Sequence, residues 1–299
     1  MGQLQEGATR MIEATRRHYD AHHFIEGGNA RVRWWRTFLA GFLSDQEVRG
    51  ALIADVGSSV GEISRGLIDR GGRLVCLDIS LESLRRCREL NPEAVVVHGN
   101  ALNLPFADES FDHVISIGVL HHTPDCRLGF RQVVRVTAPG GSIVVFLYNK
   151  WNPYYLAYKA FAPVRAHIPL TSVPNWMVRL MQPLVKLHFG RGLDDQELRN
   201  LVGDAFWTPR ATFHSVREVR GWGGEEGLTF VGSKRFFMGY AHVYHFRKPG
   251  QALPAGRREV QFQCLTCQAA PMVQHHGAIR CPKCGESYPI EQGIVRVLN

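Results

Sequence analysis

Apolar and polar positions along the chain change period several times, and each change marks an element. Leu52–Val56 is a short apolar run with no helical period, the pattern of a strand buried on both faces. Residues 62–70 switch to a period near 3.6, with Ile63, Leu67 and Ile68 on one face, and Gly71-Gly72 stops that helix. Arg73–Leu77 is a second apolar strand, ending at Asp78. Ser80 caps a helix with Leu81, Leu84 and Leu90 on its apolar side, and Asn91-Pro92 ends it. Ala94–Val97, His113–Ile117 and Ser142–Leu147 read as three further strands. A helix over Arg127–Val136 and a Pro139-Gly140-Gly141 turn precede the last of them. Ser215 and Glu218 form a capping box for a later helix, and Leu228–Phe237 and Tyr240–Arg247 give two closing strands. Strands alternating with helices predict an α/β fold with a mainly parallel sheet.

Three regions fall outside this alternation. Residues 1–50 read as two helices forming an N-terminal helical cap. Ile12, His18 and Tyr19 belong to the first, and Val32, Trp34, Trp35, Phe38, Leu39 and Phe42 to the second, with Gly27 and Gly28 between. Residues 150–214 are dense in aromatics and bases, with prolines at 153, 163, 169 and 174, and read as short helices forming a lid inserted in the domain at 51–248. A Pro/Gly-rich linker at 249–259 then leads to a small unit at 260–299.

The first strand–turn–helix carries the most specific chemistry. Gly57 and Gly61 allow a ligand to approach the backbone, and the following helix turns its free N–H groups toward an anionic group. Asp78, at the end of the second strand, stands where an acid accepts hydrogen bonds from ribose hydroxyls. The alternation Asp55, Gly57, Ser59, Gly61 differs from the G-x-G-x-x-G of dinucleotide enzymes and resembles the D-x-G-x-G-x-G motif of class I S-adenosylmethionine-dependent methyltransferases. Ser59 replaces the middle glycine, and a serine there is expected where the backbone is not obligatorily left-handed. The stretch HGNALNLPFADESFDHV resembles a second signature of that family, and VTAPGGSIVVFLYN matches its fifth-strand motif.

The resemblance implies a seven-stranded, doubly wound, Rossmann-like sheet in the order 3-2-1-4-5-7-6 with a helical lid, binding S-adenosylmethionine. The implied cofactor-binding residues are Asp55, Gly57, Ser59, Gly61, Asp78, Ile79, Asn100, Ala101, Leu102 and Gly118. Asn100 stands where an acid usually accepts from the adenine amino group, and Leu102 and Leu104 would flank the adenine ring. His121 and His122, at the end of the fourth strand, are candidate general bases, because imidazole titrates near neutrality; packing of the loop is the alternative. Tyr148, beside Asn149, would orient an acceptor at the end of the fifth strand.

Charge and cysteine content add two features. The net charge is +8, and from Cys126 to Leu193 nine Lys or Arg occur without any Asp or Glu, which fits a solvated basic face, an anionic substrate, a membrane surface or RNA. The seven cysteines include Cys264-x-x-Cys267 and Cys281-x-x-Cys284, which can offer four thiolates to a structural zinc ion. So small a unit is expected to draw most of its folding free energy from the metal. Its tail resembles the zinc-ribbon activator subunits that partner translation-related methyltransferases. The lack of a signal-peptide pattern or of an apolar run long enough to span a bilayer makes a soluble cytoplasmic protein the expectation.

The leading functional reading is methyl transfer from S-adenosylmethionine to a small-molecule acceptor: a secondary metabolite, a quinone or a lipid-like molecule. The alternative is methylation of RNA or a translation protein, with the basic lid and ribbon as docking surfaces. A non-catalytic cofactor-binding module and a nicotinamide dehydrogenase stand behind these.

Overall fold

The computed structural model describes residues 2–21, 38–165, 175–189, 198–199, 202–203, 206–236, 239–252, 254 and 256–298. The strands are β1 (Leu52–Val56), β2 (Arg73–Asp78), β3 (Val95–His98), β4 (Phe111–Ile117), β5 (Thr137–Tyr148), β6 (Thr229–Phe236) and β7 (Ala241–Arg247). Four short C-terminal strands follow: β8 (Val273–His275), β9 (Ala278–Arg280), β10 (Ser287–Glu291) and β11 (Ile294–Arg296). The helices are α1 (Gly2–Ala21), α2 (Asp45–Val48), α3 (Glu62–Ile68), α4 (Leu81–Leu90), α5 (Cys126–Val136), α6 (Pro153–Arg165), α7 (Asn175–Phe189) and α8 (Val216–Glu225). Val32, Trp34 and Trp35, Pro169 and Pro174, Asp204 and Ala205, and Phe237 lie outside the described residues.

Adjacent strands run in the order β6-β7-β5-β4-β1-β2-β3-β11-β10-β9-β8. β1 to β5 are parallel, while β7 pairs antiparallel with β5 and β6 antiparallel with β7. The chain leaves β1 toward β2 on one side and later returns to lay β4 on the other. A crevice forms at the carboxyl ends of strands at such a switch point. Alternate residues of β1 enter opposite cores: Leu52, Ala54 and Val56 pack with Phe106, Phe130 and Phe246, while Ile53 packs with Leu43, Leu74 and Phe146.

Three sequence expectations are corrected. β1 to β7 take the expected order 3-2-1-4-5-7-6, but among the described residues the sheet continues to eleven strands, because β11 adds to β3 in parallel register (Ile294↔Val96, Val295↔Val97, Arg296↔His98). Secondly, the C-terminal unit is not set apart by the linker but packs on the catalytic domain: Phe262, Cys264, Met272, Ile279, Cys281, Tyr288 and Val295 share one apolar cluster with Phe106, Phe111 and Val133. Finally, Pro139-Gly140-Gly141 lies within β5 instead of forming a turn before it. The β4 register shifts there, and a Cβ on Gly141 would come within 2.4 Å of the Asp112 carbonyl oxygen.

The remaining fixings bear on the site. His113 lies within hydrogen-bond distance, 3.0 Å, of the Glu47 carbonyl, and Glu47 pairs with Arg247 at 2.6 Å. Arg258, in the linker, donates to Asp112, whose other oxygen accepts from the Leu52 N–H at the start of β1. Phe38 packs edge-on against Phe236, which docks the segment before β1 on the antiparallel end of the sheet.

Candidate active site

The turn after β1 is built by backbone demands. Gly57 (φ +84°) packs against Val119 so closely that a Cβ would come within 2.0 Å of a Val119 methyl. Gly61 (φ +79°) caps α3, and a Cβ there would meet Asn91 and Cys87. Ser59, against the expectation from the sequence, is left-handed, at φ +51°. Its N–H donates to Asp78 Oδ2 at 2.9 Å, and the Ser80 N–H donates to Oδ1 at 2.8 Å. The hydrogen bond holds Ser59 in a region that an L-residue occupies only at a cost. The Asp78 carboxylate still keeps a lone pair for a further donor.

Gly118, at the end of β4, is also left-handed (φ +81°), yet a Cβ on it would meet nothing within 4 Å. It faces open space. Beyond β3, Asn100 Oδ1 accepts from the Leu102 N–H at 2.9 Å, which leaves one Oδ1 lone pair and the Nδ2 hydrogens for a ligand. Leu102 is half-buried, Ala101 buried, and Ile79 half-buried, with its carbonyl 3.0 Å from His98 Nε2. Leu104 does not flank a ligand: it is fully buried in the core, with its N–H on Gln132. These positions come from the carboxyl ends of β1, β2, β3 and β4, and the acid, the glycine turn and the open space at Gly118 fit an adenosyl ligand with a charged tail.

Asp55 is buried, and its Oδ2 accepts from Ser64 Oγ at 2.7 Å. Burial pushes its carboxyl up to about 7, and the neighbouring Asp78 adds to the shift. Burial also raises Asp78, against the lowering effect of the Ser80 and Ser59 N–H groups. Helix α1 closes on this region, with Asp20 accepting from Ser80 Oγ at 2.8 Å and the Tyr19 ring 6.5 Å from that of His122. This is the place expected of the N-terminal helical cap, whose closing over the cofactor the family resemblance implies; the contacts of Asp20 and Tyr19 that seat it join residues far apart in the chain.

His121 and His122 form a single turn of 3₁₀ helix after β4, and both are buried. His122 Nδ1 lies 2.8 Å from the Arg210 carbonyl, which assigns the proton to Nδ1 and a lone pair to Nε2. Burial, reinforced by His122, holds His121 well below the usual imidazole range and therefore neutral. Tyr148 is buried as well. Its ring centroid lies 3.8 Å from His121, 5.3 Å from His122, 5.4 Å from Tyr154, 5.6 Å from Phe213 and 5.2 Å from Tyr240. Asn149 donates to the Gly239 carbonyl at 2.9 Å.

The sulfurs of Cys264, Cys267, Cys281 and Cys284 lie within 4.8 Å of one another, with Cys264–Cys284 and Cys267–Cys281 each at 3.5 Å. Four thiolates about 2.3 Å from a central zinc stand about 3.8 Å apart, so the cluster fits that ion. The segment carrying it borders the loop after β3. Phe262 bridges to Phe106, the Ala107 N–H donates to Gln261 and the Gln263 N–H to Pro105. These contacts join residues more than 150 apart in the chain, and nothing local in the sequence marks them.

A methyltransferase-domain family model matches residues 54–145. The demethylmenaquinone methyltransferase of Streptomyces griseus is 30% identical over 219 residues, which cover 68% of this chain and 93% of that protein. The human "Probable tRNA methyltransferase 9B" is 36% identical over 110 residues, 36% of this chain and 23% of that one. Among solved structures, magnesium protoporphyrin IX methyltransferase from Synechocystis shares the fold, with a TM-score of 0.50 at 14% identity over 81% of this chain and 95% of that one. The chain belongs to the S-adenosylmethionine-dependent methyltransferase family. It is an enzyme of that class, and no helix among the described residues is long and apolar enough to cross a membrane.

Proposed function

We propose that the acceptor is a quinone-type small molecule, methylated at the carboxyl ends of β4 and β5. The supporting observation is a chain of aromatic rings: Tyr19 and Tyr148 pack near His122, and Tyr154, Phe213 and Tyr240 pack on Tyr148, which gives this end of the sheet the flat, apolar surroundings a quinone ring needs. The Streptomyces griseus relative, named for such an acceptor, supports the same reading.

S-adenosylmethionine supplies a methyl group on a sulfonium centre. In this reading Asp78 accepts from the ribose hydroxyls, Asn100, Ala101 and Leu102 border the adenine, and Asp55, Gly57, Ser59, Gly61, Ile79 and Gly118 shape the cradle. His122 Nε2 would take a proton from an acceptor hydroxyl, making the neighbouring ring carbon nucleophilic toward the methyl group; the electron pair of the broken methyl–sulfur bond stays on sulfur, which leaves as a neutral thioether, and the methylated ring carbon gives up its own hydrogen as a proton to water. His121 and Tyr148 position His122 by packing against it, and closure of α1 over the site excludes water. The four cysteines would hold a zinc ion, whose part there would be structural because all four donors come from the protein. Cysteines that form no disulfide, three of them (Cys76, Cys87 and Cys126) buried apart from the metal site, suit a cytoplasmic, reducing setting.

A second reading, transfer to RNA, is supported by the acid-free basic stretch and by the human relative. The deciding experiment offers the full chain labelled S-adenosylmethionine with a demethylated isoprenoid naphthoquinol and, separately, with transfer RNA. Label in the organic phase is expected, and label in RNA alone overturns the quinone reading.

A further inference from the structure

The outward faces of α6 and α7 differ from the rest of the surface. On α6, Pro153, Leu156, Ala157, Ala160 and Pro163 are exposed at spacings of three and four, so they form one stripe. The opposite face is packed: Tyr154 and Phe161 meet Phe206, and Tyr158 meets Phe213. On α7, Trp176 and Leu180, one turn apart, are each 62% exposed. Leu156 is 67% exposed, and Trp151, just before α6, 76%. These four account for most of the large apolar side chains exposed among the described residues, so the exposure is concentrated on the lid.

The polar residues on these faces carry one sign of charge. Lys150, Lys159, Arg179 and Lys186 are exposed, and no acid occurs between Cys126 and Leu193. The Lys150 ammonium lies 5.8 Å from the Trp151 ring and that of Lys159 5.9 Å from Tyr155, so bases and aromatics are interleaved. Helices that present Trp and Leu flanked by Lys and Arg, and that are too polar to span, lie in the headgroup layer of a bilayer. Anionic lipids attract the bases while the acyl boundary takes up the apolar side chains.

We propose that the outward faces of α6 and α7 dock on an anionic phospholipid bilayer. Both halves of the pattern require this occupant. RNA would satisfy the bases but offers no apolar slab for Leu156 and Leu180, and a neutral apolar surface would leave four cations without counter-charge. On the inner side of the same helix, Tyr154 touches Tyr148, so docking brings the acceptor end of the sheet to the membrane. The proposal does not rest on the identity of the acceptor.

The test is sedimentation of the full chain with vesicles of phosphatidylcholine alone or mixed with phosphatidylglycerol. Binding to the mixed vesicles is expected to be at least about tenfold tighter and to weaken with salt. The triple variant Leu156→Ser, Trp176→Ser, Leu180→Ser and, separately, the pair Lys159→Glu, Arg179→Glu should each lower it about tenfold or more. Thermal unfolding and S-adenosylhomocysteine binding should be unchanged in both, which separates docking from misfolding. Absence of binding to the mixed vesicles overturns the proposal, as does binding that both variants leave intact. So does capture of an RNA oligonucleotide, lost in the charge variant, without vesicle binding. A lower mass by light scattering in the triple variant, again without vesicle binding, overturns it in favour of self-association.

Discussion

The Ser59 N–H donates to Asp78 Oδ2 at 2.9 Å, so the acid at the end of β2 also locks the turn after β1. Asp78→Ala is therefore expected to weaken S-adenosylhomocysteine binding by about 1–3 kcal/mol through lost ribose hydrogen bonds, and to loosen the turn as well. Calorimetric titration measures the first effect. An unchanged affinity removes Asp78 from the cofactor site.

The strain at Ser59 gives a second expectation. A left-handed serine costs about 1–2 kcal/mol, and glycine returns about 0.5–1 kcal/mol of that as unfolded-state entropy. Ser59→Gly should thus raise stability by about 0.5–1 kcal/mol in urea unfolding. A destabilised variant would show that the serine hydroxyl holds the turn.

Asp55 makes stability depend on pH. Its folded carboxyl titrates at about 7, above the unfolded value of about 3.9. The raised value means that Asp55 contributes its full stability below the unfolded value and loses it as pH rises through 7. Between pH 4 and 7 the native chain should lose stability relative to Asp55→Asn, by at most about 4 kcal/mol. Above about pH 7.5 the difference should level off. Parallel curves for the two proteins would place Asp55 in a more polar setting.

His122 and His121 should separate in kinetics. His122→Ala is expected to lower kcat by about 10²–10⁴ with cofactor binding unchanged. His121→Phe, which keeps the packing on Tyr148, should lower kcat far less. A His122 variant that keeps its kcat would reduce this residue to packing.

Metal removal should be felt beyond the cysteines. The full chain is expected to hold one zinc ion, measured by elemental analysis, and Cys281→Ser to lose it. Because β11 pairs with β3 and Gln261 to Gln263 border the Asn100–Ala107 loop, the loss should lower both the unfolding midpoint and S-adenosylhomocysteine affinity. A chain that melts and binds as before would show that the shared apolar core suffices.

Much of the catalytic fold was legible because its signals are local. The period change from β1 to α3, the cap at Ser80 and the acid ending β2 each follow from a few adjacent residues. The spacing of Asp55, Gly57, Gly61 and Asp78, and of the four cysteines, is local in the same way, because turn geometry and ligand number are written in short motifs. Tertiary structure decided the rest. Ser59 is left-handed because Asp78, nineteen positions away in sequence, holds its N–H. Burial beside Asp78, which no pattern reveals, moves Asp55 to neutrality. The C-terminal unit joins the sheet because the open edge of β3 and the apolar side of Phe106 both needed a partner, which β11 and Phe262 supply from some 150 to 200 residues downstream. Such pairings depend on which surfaces meet once the chain has folded, and a linear pattern carries no record of them.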